Sequence, residues 1–236
     1  MLKILCILIL LPFTFICSLF INPKKEYDKN RKFYRKLLHT YTWLVLKLLR
    51  VKIDVTGIEK IPQNTRFVLV GNHRSNFDPI ITWLVFKRYD LAFISKESNF
   101  KIPVFGRIIR KCCYMAIDRE NPRNAIKTIN RASNLIKSNE VSVAVYPEGT
   151  RNKEGNGLLP FHNSVFKIAQ KANVPIVIVG VSGTESIHKR TPWKRTHVQL
   201  QVLDVINAEN VMAMKTNEIG EIVKNTLLAS DLIKEN

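Results

Sequence analysis

Two residues five positions apart, His73 and Asp78, follow the apolar run Phe67-Val68-Leu69-Val70-Gly71. If the chain folds back between them, the carboxylate engages one imidazole nitrogen and leaves the other free to take a proton from a substrate hydroxyl. The aspartate then fixes the tautomer and stabilises the imidazolium. A substrate alcohol so activated can attack a thioester directly, with no enzyme nucleophile. The same residues also admit a structural use, because Asp78 precedes Pro79 and an acid before a first-turn proline is a good helix cap.

A second polar run, Pro147-Glu148-Gly149-Thr150-Arg151, follows the apolar segment Val141 to Tyr146. Gly149 permits close backbone approach, Thr150 offers a hydroxyl, and Arg151 offers a two-pronged donor suited to phosphate. A surface turn with a solvated arginine is the plain alternative. Ile117-Asp118-Arg119 closes a third run. Its arginine can join Arg151 on one phosphate, or pair with Asp118.

These runs can act together only if their elements bring them to one place. Strand-like segments occur at Phe67 to Gly71, Leu91 to Ile94, Met115 to Ile117, Val141 to Tyr146, Val174 to Val181 and Val198 to Ile206. Helical spacing lies between them. Asn121-Pro122 reads as a cap and first turn, with Ala125, Ile126, Ile129, Ala132, Leu135 and Ile136 recurring behind it. Ser164 to Ala172 and Asn217 to Ile233 also fit helices. The alternation predicts an α/β domain with a largely parallel sheet and flanking helices. In such sheets ligands meet the loops beyond the strands' carboxyl ends, where all three polar runs fall.

The chain has 37 Lys and Arg against 19 Asp and Glu, a formal charge of +18. Its partner is therefore expected to be anionic: nucleic acid, an anionic membrane surface or a phosphorylated substrate. No recognition-helix pattern, RNA-binding aromatic motif or zinc finger supports nucleic acid. The four cysteines, Cys6, Cys17, Cys112 and Cys113, form neither a disulfide framework nor a zinc spacing, and the five histidines are scattered, so no metal is expected. Gly180-Val181-Ser182-Gly183 lacks the spacing of a hydrolase nucleophile elbow.

From Ile4 to Ile21 every residue is apolar except Thr14 and Ser18, close to the roughly 20 residues of a spanning helix. No small-residue cleavage site follows, which favours an uncleaved anchor over a secretory signal. Pro12 leaves a kinked, one-leaflet insertion open. Lys24, Lys25, Lys29, Arg31, Lys32, Arg35 and Lys36 come next, placing the remainder on the cytoplasmic side. Phe33 to Val51 mixes large apolar residues with cations and reads either as an interfacial helix or as a core-facing one. The expected division is an anchor and interfacial helix over 1–52 and an α/β domain over 53–236.

Asn72-His73 with Asp78, Ile117-Asp118-Arg119, Tyr146-Pro147-Glu148-Gly149-Thr150-Arg151 and Val174-Pro175-Ile176-Val177 resemble, in order, the four sequence blocks of the glycerolipid acyltransferases, particularly the 1-acylglycerol-3-phosphate acyltransferases. The resemblance runs from about Gly57 to Gly183. It implies that His73 is the general base and Asp78 its orienting partner, and that Arg119, Glu148, Gly149, Thr150 and Arg151 hold the acceptor's phosphate and glycerol, with Lys96 adding charge nearby. It further implies a lysophospholipid acceptor, acyl-CoA or acyl-carrier protein as donor, no cofactor, a membrane-bound N-terminal element and no nucleic-acid partner. The chain departs from the commoner pattern with Ile178 in place of a second proline, with Phe161-His162-Asn163-Ser164 in place of Phe-Lys-x-Gly, and with Tyr146 in place of Phe.

Overall fold

The computed structural model describes residues 2–118, 121–153, 157–190 and 194–234. Two helices open the chain, α1 (Leu2–Leu19) and α2 (Lys32–Leu48). The expected membrane span is not supported, because among the described residues no helix is long and apolar enough to cross a bilayer. α1 has 18 residues, about 27 Å at about 1.5 Å per residue, against a hydrocarbon core of roughly 30 Å.

α2 has a buried face, as the core-facing reading requires, and an exposed one. Leu37, Leu38, Leu44 and Leu46 are buried, whereas Phe33, Lys36, Thr40, Trp43 and Lys47 recur at helical spacing on the exposed side. Buried Arg35 anchors the inner face by donating to Leu91 O (2.7 Å) and Cys112 O (3.2 Å), and its Nε lies 3.3 Å from Asp90. The intervening basic linker is also tied down. Glu140 takes Lys29 Nζ (2.9 Å) and the Asn30 amide (3.0 Å), and Arg131 binds Glu26 and Asp28.

Then follow β1 (Val51–Thr56), β2 (Val68–Gly71), α3 (Asp78–Val85), β3 (Ala92–Lys96), α4 (Phe105–Lys111), β4 (Met115–Ile117), α5 (Pro122–Lys137) and β5 (Val143–Val145). The chain continues through α6 (Lys167–Ala172), β6 (Ile176–Ser182), α7 (Ile187–Arg190), β7 (Thr196–Ile206), α8 (Ala208–Ala213), α9 (Thr216–Ala229) and α10 (Asp231–Lys234). The seven strands form one sheet in the order β1-β7-β6-β2-β5-β3-β4. All described pairings are parallel except β6 with β7. The α/β class and the largely parallel sheet read from the sequence are what the fold contains.

The central strands are buried on both faces, as their unbroken apolar runs require. Val68, Val70, Val143 and Ile176 pack beneath α5, α6 and α9, while Leu69, Ala144 and Val177 pack with α2, α3 and α4 residues on the other face. Asn121 caps α5, its side chain accepting from the Arg123 amide (3.0 Å). β6 runs through Ile178 without ending there. Because β2, β3, β4, β5 and β6 point the same way, the loops after them meet at one edge of the sheet.

Candidate active site

The loop after β2 is held before it is used. Asn72 grips β6 in both directions, donating to Val181 O (2.8 Å) and accepting from Val181 N (2.9 Å). His73 then leaves the sheet, and Asp78 returns as the first residue of α3. Its carboxylate does not cap that helix; it points back across the loop. Oδ2 lies 2.9 Å from His73 Nδ1 and accepts the backbone amides of Arg74 and Ser75, each at 2.7 Å. Oδ1 accepts the hydroxyl of Thr184. Asp78 is wholly buried, whereas the His73 side chain is 17% exposed, so the pair presents only its imidazole outward.

The ring is fixed in plane as well as in direction. Tyr146 stacks on it at 4.4 Å between centroids and 17° between planes. Tyr146's own hydroxyl is raised well above its usual pKa by burial first and by the charge of Asp78 second, so it remains neutral. Among the described residues Nε2 of His73 has no hydrogen-bond partner, and His73 lines a cleft of about 570 Å³. An imidazole with a buried carboxylate behind it and an open nitrogen in front can accept a proton from a hydroxyl.

Gly149, Thr150 and Arg151 line the same cleft, as does Lys96 at the end of β3. The histidine and the cationic loop therefore share one opening, with Asn76, Ser95, Ser98 and Asn99 adding polar wall. Gly149 has φ +69°, and a Cβ there would lie 2.8 Å from His162 Cδ2. The imidazole of His162, one of the departures from the commoner pattern, thus rests against the loop, while its amide donates to Pro147 O (2.9 Å).

Glu148 has a place the sequence did not indicate. It was expected among the acceptor-binding residues, yet it is buried and is not among those lining the cleft. Oε1 accepts the backbone amide of His73 (2.8 Å) and Oε2 that of Leu159 (2.9 Å). Burial raises its pKa, and the two amides oppose that shift. Asn152 adds a parallel tie, its amide donating to His73 O (2.7 Å). The Pro147–Arg151 loop is thereby joined to the histidine's own backbone.

Arg119 lies outside the described residues. Asp118 accepts from the Asn121 amide (3.1 Å) and Asn124 Nδ2 (3.0 Å), which places its carboxylate at the start of α5. The apolar part of the cleft comes from Leu38, Ile80, Trp83, Phe93, Ile102, Phe105 and Tyr114. A second cavity of about 500 Å³ between α1, α2 and residues 103–108 shares Leu38 and Phe105 with it. The sequence reading missed both the stacking role of Tyr146 and the involvement of Thr184. A tyrosine directly before Pro147 was visible as a variation, but nothing local tied Thr184 to Asp78.

Comparison with known proteins places this geometry. A 1-acyl-sn-glycerol-3-phosphate acyltransferase of Haemophilus influenzae is 33% identical over 153 residues, covering 63% of this chain and 62% of that protein. The enzyme of the same name from Saccharomyces cerevisiae is 29% identical over 195 residues, covering 81% and 63%. The matched segments thus span less than two thirds of the length of these relatives. The crystal structure of the 1-acyl-sn-glycerophosphate (LPA) acyltransferase PlsC from Thermotoga maritima has the same fold, with a TM-score of 0.67 at 24% identity over 95% of this chain and 88% of that one. A family model described as Acyltransferase matches residues 52–182, more than half of the chain and the whole run from β2 to β6, and on that match the chain belongs to the Acyltransferase family.

Proposed function

We propose that this chain transfers a fatty acyl group from a thioester, acyl-CoA or acyl-carrier protein, to the free hydroxyl of 1-acylglycerol-3-phosphate, forming phosphatidic acid. The observation that carries the reading is that one cleft contains both the open face of the His73–Asp78 pair and the Gly149–Thr150–Arg151 loop. His73 Nε2 takes the proton of the acceptor hydroxyl as its oxygen attacks the thioester carbonyl carbon. The tetrahedral centre then collapses, the carbon–sulfur bond breaks, and the imidazolium returns its proton to the departing thiolate. An ester and a free thiol result, with no cofactor required. Arg151, Lys96 and the Thr150 hydroxyl hold the acceptor's phosphate, Arg151 through its paired donors. Arg119 joins them on the family's pattern. Glu148 serves this site through the backbone of His73.

Membrane association belongs to the same reading. Phe13, Phe15, Ile16, Leu19 and Phe20 of the α1 end and Phe33 and Trp43 of α2 are exposed apolar residues beside the basic linker, a composition suited to the headgroup boundary of an anionic leaflet. Insertion is into one leaflet, with the α/β domain on the cytoplasmic side. The apolar cavity between α1, α2 and residues 103–108 lies next to the cleft wall, which gives lipid tails a route to the reacting atoms.

The test is to incubate membranes carrying the protein with labelled acyl-CoA or acyl-carrier protein and a panel of lysophospholipids, and to identify the products. Phosphatidic acid is the expected product. His73→Ala should lower turnover by about 100- to 10,000-fold, the usual contribution of a general base, while vesicle binding persists. Undiminished transfer by His73→Ala refutes the mechanism, and products other than phosphatidic acid refute the acceptor.

A further inference from the structure

We infer that Thr184 is a positioning residue for acyl transfer, holding Asp78 from behind so that the carboxylate presents Oδ2 to His73. Thr184 lies 106 residues from Asp78 in sequence and two residues beyond the matched family span. The inference rests on the acyl-transfer reading above and deepens it.

The reason begins in the sheet. β6 is parallel to β2, so its carboxyl end emerges at the same edge as the His73 loop. After Ser182 the chain turns at Gly183, with φ +82°. A Cβ there would sit 2.4 Å from His197 O on β7, so only glycine can take this path. The turn drives Thr184 inward, where it is completely buried. Its hydroxyl donates to Asp78 Oδ1, and its carbonyl accepts from Ser75 Oγ (3.2 Å). With the Asn72–Val181 pair, the segment Val181–Thr184 touches the catalytic loop at its start, middle and end.

Asp78 has no exposed surface, so water cannot stand in for a missing donor at Oδ1. The other three contacts, from His73 Nδ1 and the amides of Arg74 and Ser75, all fall on Oδ2. Without the hydroxyl, Oδ1 is a buried anionic oxygen with no donor among the described residues. The carboxylate then gains by rotating about its own axis to share those donors between its two oxygens, which moves Oδ2 off the imidazole. Thr184 does not line the cleft, and its described hydrogen bonds go to Asp78 and Ser75 rather than to His73. Its effect passes entirely through the carboxylate.

The test compares turnover and Michaelis constants of wild type, Thr184→Val, Thr184→Ser and Thr184→Ala, together with Asp78→Asn and the Asp78→Asn/Thr184→Val double variant. Valine keeps the volume and removes the hydroxyl; serine does the reverse. The expected result is a fall in kcat of about 10- to 100-fold for valine, the worth of one hydrogen bond to a charged group, with both KM values within about twofold. Serine should restore kcat to within about threefold of wild type. In the Asp78→Asn background the valine change should add little, because the group it acts through is already neutral. A packing role predicts the opposite order, with serine worse than valine, and the two effects additive; either result overturns the inference, as does wild-type kcat in Thr184→Val. If the valine protein does not fold, Thr184→Ser against Thr184→Ala isolates the hydroxyl alone, and equal kcat in those two is equally fatal. Absence of acyl transfer by the wild-type protein would instead refute the function proposed above.

Discussion

Replacing Glu148 by glutamine separates the two roles its position in the sequence suggests. Its carboxylate meets two backbone donors, His73 N at 2.8 Å and Leu159 N at 2.9 Å, one on each oxygen. Glutamine has a single oxygen, so whichever amide it satisfies, its own NH2 group is turned towards the other donor. One charge-assisted hydrogen bond is lost, worth about 1.5–3 kcal/mol, and a buried N–H is left unpaired, worth about 1–3 kcal/mol more. Relief of the buried charge, whose cost is visible in the upward shift of the Glu148 pKa, offsets part of this. A net loss of about 2–3 kcal/mol remains. For a chain of 236 residues that corresponds to a fall in Tm of about 4–12 °C. Turnover should fall by at least about tenfold, because the backbone that carries the imidazole loses a tether and small displacements of a reacting group are costly. Thermal unfolding followed by circular dichroism in detergent micelles, with acyl-transfer rates on the same samples, measures both. If Glu148 instead bound the acceptor's glycerol, Glu148→Gln would raise the acceptor KM at an unchanged Tm, and that pattern would refute the tether.

Two further predictions concern the packing of α2. Burial, with lesser contributions from Arg35 and Lys87, lowers the His39 pKa from 6.5 to about 3. The folded state therefore keeps His39 neutral while the unfolded chain takes up a proton below pH 6.5, so stability present above 6.5 is lost as the pH falls towards 3, by up to about 1.4 kcal/mol per unit. His39 stacks on Trp83 at 4.1 Å, and neither ring nitrogen has a partner among the described residues; His39→Phe should therefore be neutral or stabilising at pH 7 and should flatten the acid-side decline in Tm, and equal slopes in the two proteins would count against this account. Arg35→Ala removes the donors to Leu91 O and Cys112 O and strands part of the charge on Asp90, so the unfolding free energy should drop by about 3–5 kcal/mol; an unchanged denaturant midpoint would show that the α2 anchor lies elsewhere.

The parts of the fold that could be read from sequence are those whose burial is uniform. β2, β5 and β6 are covered on both faces, which forces unbroken apolar runs such as Val68-Leu69-Val70 and Ile176-Val177-Ile178-Val179, and those runs were visible. β1 was not seen. It is an edge strand, mostly exposed, and its Val51-Lys52-Ile53-Asp54 alternation continues the mixed composition of the helix before it without a break. α3 and α4, of eight and seven residues, are too short to establish a period. The apolar N-terminus was legible as a helix, but its length depended on where that helix stops. It stops at Leu19, short of Phe20 and Ile21.

The site divides along a different line. That His73 and the Gly149 loop share a cleft followed from the expected parallel sheet, since loops beyond the carboxyl ends of such strands lie at one edge, whereas Lys96 was placed near them by the family resemblance alone. Which of them face the cleft did not follow. Glu148 and Gly149 are adjacent in sequence, yet one is sealed beneath His73 and the other lines the opening, because the turn that exposes Gly149 directs the preceding side chain inward. Roles assigned to a motif as a block are therefore assigned too evenly. The acid of this block is bonded to a peptide N–H 75 residues away, whereas its glycine, threonine and arginine line the cleft. The same reasoning applies to Asp78, whose orientation is completed by a hydroxyl outside every motif. Substitutions at Glu148 and Thr184 should therefore act on turnover rather than on substrate affinity, although one lies inside the motifs and the other does not.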